Sequence, residues 1–93
     1  MLTLSNELLN EYVEGVKTKL RVNAGLMAMV KADGDDAQYH YYLAKEMAYH
    51  EMLWMVGINP GDELYSNIKR ETMNHYIEEL ERYQRMKEDS YYD

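Results

Sequence analysis

Three histidines, His40, His50 and His75, are the side chains of this sequence best suited to holding a metal ion or moving a proton near neutral pH. A helical metal site needs ligands three or four residues apart on one face, with carboxylates beside them. Glu46 and His50 have that spacing. The hydropathy pattern, however, places them on the polar side of their helix with Gln38, Lys45 and Tyr49. The Glu-x-x-His pairs of a di-iron bundle do not occur. Zinc-peptidase, nucleophile-elbow, phosphate-loop and dinucleotide motifs are also missing. The pattern points to no metal, no cofactor and no catalytic residue.

Glu51 is the unusual carboxylate. At 100° per residue it falls among Ala44, Met47, Ala48 and Met55, inside an apolar arc, with His40 close to the same direction about three turns away. A buried carboxylate needs a partner or a raised pKa. In an antiparallel hairpin Glu51 lies level with Lys17, so a structural ion pair or a tyrosine hydrogen bond is one reading. The other is an anion facing a ligand in a pocket shared by Asn23, His40 and Trp54. Asn23 itself interrupts an apolar seam, where a polar residue sets helix register, and it can meet His40 across the hairpin.

Acids and tyrosines suggest contact with another macromolecule. Glu71, Glu78 and Glu81 share an outer sector of one helix, and Asp33, Asp35 and Asp36 crowd one corner. Carboxylates held apart on rigid helices can imitate nucleic-acid phosphates and occupy a basic groove. Against this, Arg70, Arg82 and Arg85 interrupt the sector, and Glu78–Arg82 and Glu81–Arg85 have the spacing of helix-stabilising pairs. The Asp33–Asp36 segment lacks the alternating ligands and closing glutamate of a calcium loop, and helix capping accounts for it. Ten tyrosines and no phenylalanine favour interfaces, or the boundary layer of a small core. Tyr39 and Tyr42 are the expected aromatic anchors of a binding surface.

Three amphipathic helices must position these groups. The first runs from about residue 4 to 31, capped by Thr3 or Ser5, with Leu9, Val13, Val16, Leu20, Asn23, Met27 and Val30 at alternating steps of four and three. Gly34 supplies a left-handed stop, and Asp35 or Asp36 restarts the chain. The second helix, about 36 to 56, turns Tyr41, Ala44, Met47, Ala48, Met52, Trp54 and Met55 toward the core. Asn59 and Pro60 can start the third helix, or Pro60–Gly61 can make a turn capped by Asp62. That helix ends near residue 87, before an acidic tail that frays over 88–93.

No segment alternates as a strand does. The short connections therefore imply an all-α, up-down-up antiparallel three-helix bundle in one domain. The outer helices span roughly 40 Å and the middle one about 30 Å. Their overhangs carry Leu4, Leu8 and Leu9 at one end and Tyr83, Met86 and Tyr91 at the other, which suggests self-association, most simply a homodimer.

Composition narrows the class. Among 93 residues there are 17 acidic and 10 basic side chains, a net charge of −7, so free nucleic acid and anionic membranes would be repelled. The absence of cysteine excludes disulfides and thiolate chemistry and fits a cytoplasmic setting, as does an N-terminus without a signal-peptide pattern. In size, acidity and helix content the chain resembles many small phage- or mobile-element-encoded proteins. No motif carries that resemblance, and it transfers no residue roles. The expectation is a small non-enzymatic binding protein, most concretely an inhibitor that mimics nucleic-acid charge against a basic host protein. Alternatives are a structural helical oligomer and a small-ligand-binding bundle.

Overall fold

A computed structural model describes residues 5–92, and the side chains of residues 5–89. The elements are α1 (Asn6–Ala32), α2 (Asp36–Met55) and α3 (Glu63–Tyr92), joined by short turns into a three-helix bundle with principal dimensions of 55 × 22 × 21 Å.

The helix ends follow local chemistry. Ser5 caps α1 by accepting the Leu8 amide at 3.2 Å. Gly34, at φ +74°, stops it: the Gly34 and Asp35 amides turn back to the Lys31 and Val30 carbonyls at 3.1 and 2.9 Å. Asp35 then caps α2, its carboxylate accepting the Gln38 amide. Gly57, at φ +86°, ends α2 in the same way, with the Ile58 amide bonded to Leu53. Of the two starts open to α3, the turn forms: Asp62 donates its amide to the Asn59 carbonyl, and its carboxylate accepts the Asn59 amide at 2.8 Å. The helix does not end near residue 87. It runs on to Tyr92, because nothing from Glu88 onward is a glycine or proline that would break it.

The central element is α1. Both α2 and α3 pack along it, and they touch each other only sparsely. The seam of Val13, Val16, Leu20, Asn23, Met27 and Val30 is buried, and Ala24 and Ala28 widen it enough to serve two neighbours. The main apolar cluster sits toward the α2–α3 turn, where Val13, Val16 and Leu20 meet Leu53, Val56, Ile58, Tyr65 and Ile68.

One helix is rotated against expectation. Tyr41, Met47 and Met55 of α2 are 53%, 53% and 57% exposed, and Ala44 and Ala48 are exposed with them. His50 and Leu53 are buried instead, flanked by half-buried Tyr42, Glu46 and Tyr49. The reason is volume. The alanine stripe of α2, turned toward α1, would leave space that costs packing energy. The aromatic side fills that space, since tyrosine and histidine rings bury large apolar area while their polar tips find partners. Two cross-helix bonds fix the choice: Asn23 Nδ2 donates to the Tyr42 carbonyl at 2.9 Å, and the Tyr12 hydroxyl donates to the Met52 carbonyl at 2.9 Å.

The overhang expected of Tyr83 and Met86 at the α3 end does not form there, because both border the α1–α2 turn together with Asp33 and Lys87. Lys87 bonds the Ala32 carbonyl at 2.7 Å beside the α1–α2 turn, so the residues after it pass beyond that turn. Leu8 and Met86 are 55% and 51% exposed, while Leu9 packs against the main cluster. Thr3, Leu4 and the side chain of Tyr91 lie outside the described residues.

Candidate interaction surfaces

The four residues of the expected pocket do not converge. Asn23 is buried between α1 and α2, bonded to Tyr42 and in contact with the Met27 sulfur at 3.6 Å. Trp54 is half-buried against the main cluster, its indole N–H without a partner among the described residues. His40 and Glu51 lie outside, on the exposed face of α2. Lys17 does not reach Glu51 either: it lies 3.5 Å from Glu14 and 3.9 Å from Glu71. The inward placement of His40 and Glu51 is therefore corrected by the rotation of α2.

The same rotation brings Glu46 and His50 inside. They stand 3.4 Å apart, with the His50 side chain 6% exposed and its ring 5.3 Å from that of Tyr65. His50 Nδ1 has no hydrogen-bond partner among the described residues. No three His, Asp or Glu side chains among those residues gather closely enough to hold a metal ion.

Of the expected contact residues, the acids are all exposed and the tyrosines are not. Asp33 pairs with Lys87 at 3.1 Å, Asp35 is spent on its cap, and Asp36 stands in the first turn of α2. On α3, Arg82 turns to Glu79 at 2.6 Å and stacks over the Tyr83 ring. That bond holds the Glu79 carboxyl below its ordinary range. The expected Glu78–Arg82 and Glu81–Arg85 pairs do not form, so Glu78 and Glu81 have no ion pair among the described residues. The cleft that Glu78 borders between α1 and α3 is mixed in charge, with Lys17 and Arg21 opposite Glu71. Tyr39 and Tyr42 are half-buried; Tyr39 lines a groove between α2 and α3 with Leu43, Met73 and Tyr76. Among the described residues the exposed tyrosine of α2 is Tyr41, with the Lys45 ammonium 5.0 Å above its ring.

What sequence reasoning missed is thus the outer face of α2. Periodicity finds the stripe of Tyr41, Ala44, Met47, Ala48 and Met55 but assigns it to the core. The signal that could have placed it is its own smallness: two alanines at its centre cannot fill the space facing α1. No protein-family model, curated protein or solved structure matches the chain.

Proposed function

We propose that the chain is a non-enzymatic, cytoplasmic protein-binding module whose binding face is the outer side of α2. One observation carries this reading: Tyr41, Met47 and Met55, each more than half exposed, surround exposed Ala44 and Ala48 on a single helix. Isolated exposed apolar side chains are ordinary, but contiguous ones on a rigid element are typical of contact surfaces. Methionine adapts its shape to a partner, and tyrosine offers contact area with a polar tip. A photo-reactive residue at position 48 should give protein adducts in living cells, whereas one at exposed Lys19 should not. Equal yields at both positions would contradict the reading.

A second reading is favoured by Glu78 and Glu81, which have no ion pair among the described residues. With Glu71 and the Asp33–Asp36 corner they would offer carboxylates to a basic, nucleic-acid-binding host protein, as a phage-type inhibitor would. Such binding should weaken steeply as salt rises. Replacing both glutamates with glutamine without loss of affinity would remove it.

A further inference from the structure

The outer side of α2 carries a seam of its own. Ala37, Tyr41, Ala44, Ala48, Glu51 and Met55 succeed one another at steps of four and three residues, the spacing of a coiled coil, and all six are exposed. The opposite side of α2, through Leu53 and His50, is the one that packs inward.

Resting on the reading of α2 as the binding face, we propose that the occupant of this seam is the same seam of a second copy, laid antiparallel about a two-fold axis that passes between Ala44 and Ala48. In that register every seam residue meets a seam residue. Ala37 lies opposite the partner's Met55, Tyr41 opposite the partner's Glu51, and Ala44 opposite the partner's Ala48. Large side chains thus face small ones at the ends. The alanines at the centre allow the helix axes to approach to about 8 Å. The only carboxylate of the seam faces a phenol that can donate to it, with His40 one residue away. Parallel pairing fits worse: Glu51 would meet the partner's Glu51, and like charges on facing positions repel. A sequence that complements its own reversal is what a two-fold interface requires, and a foreign partner would impose no such order.

The seam is about 27 Å long and one helix wide, a small patch beside the ~800 Å² per partner of a standard interface. Association in the micromolar range is expected. Each copy carries a net charge of −7, so added salt should strengthen the pairing, opposite to the salt effect expected for a basic partner.

Sedimentation equilibrium tests this. The mass should rise from 11.1 kDa toward twice that value between low-micromolar and submillimolar concentration, and Ala48→Glu, a change at an exposed site, should hold it at 11.1 kDa. Since the chain has no cysteine, Ala44→Cys and Ala48→Cys can be mixed and oxidised. The mixed 44–48 disulfide should exceed both same-residue disulfides combined, because random pairing alone would make it equal to their sum, and that random ratio would count against the register. Dominant same-residue bridges would overturn the antiparallel register. A monomer at every concentration would overturn self-pairing, while adducts of position 48 with another protein in cells would leave the binding-face reading standing.

Discussion

Asn23 on α1 donates its side-chain amide to the main-chain carbonyl of Tyr42 on α2, at 2.9 Å, and is itself almost completely buried. This bond ties the rotation of α2 to the seam of α1. It explains why a polar residue is tolerated among Leu20, Ala24 and Met27: the amide has a partner that an alternative rotation would remove. Asn23→Ala should destabilise the bundle by about 1–3 kcal/mol through the lost bond and the space left behind. Urea unfolding gives the number, and a change below a few tenths would deny Asn23 this role.

His50 contributes in the opposite sense. Its ring is buried, and among the described residues Nδ1 has no partner and the other nitrogen has only the 3.4 Å contact to Glu46. Burying an unsatisfied polar atom costs about 1–3 kcal/mol. His50→Leu keeps the apolar contact with the core, and a gain of about 1 kcal/mol is expected after loss of the ring contact with Tyr65. A loss of stability in the same urea experiment would mean that the imidazole is satisfied in solution.

Alkaline unfolding reports on the contact between α2 and α3. Burial, and after it the neighbouring Tyr39 phenol, raises the Tyr76 pKa above its ordinary value of 10.0. The folded state therefore holds this proton more tightly than the unfolded state. The associated stability is complete below the unfolded value and is lost as pH rises from there through the folded value. Tyr76→Phe should flatten that fall, measured as melting temperature against pH. An unchanged slope would count against burial of the phenol.

Gly34 is required by backbone geometry rather than by space. Its φ is +74°, and a Cβ placed there would meet nothing within 4 Å. Gly34→Ala should cost about 1 kcal/mol by strain alone, and Gly34→Asn less, since asparagine visits the left-handed region more readily. Thermal melts of the two variants in parallel would show the order; alanine outperforming asparagine would contradict it.

The sequence discloses some of these features and conceals others for physical reasons. The α1 seam is legible because a helix packed on two sides must bury a broad stripe, and Val13 to Val30 supply no competing one. Ser5, Gly34 and Asp35 are legible because capping is local chemistry. In α2 two stripes compete. Hydropathy ranks Ala44, Met47 and Ala48 above Tyr42, Tyr49 and His50, whereas packing against α1 rewards volume. The mistaken rotation then carries His40 and Glu51 into a pocket and Tyr39 and Tyr42 onto the surface. The Arg82–Glu79 pairing is hidden for a different reason: spacings of three and four are both within reach on a helix, and the side-chain rotamers that set Arg82 over the Tyr83 ring are not written in the spacing.

The outward rotation of α2 is the claim on which the binding face rests, and thiol labelling tests it directly. Ala44→Cys and Ala48→Cys, each at high dilution where copies are separate, should react with a water-soluble thiol reagent as fast as the same residues in urea. Protection by a hundredfold or more at that dilution, which corresponds to about 2.7 kcal/mol, would place the alanine stripe in the core and contradict the account.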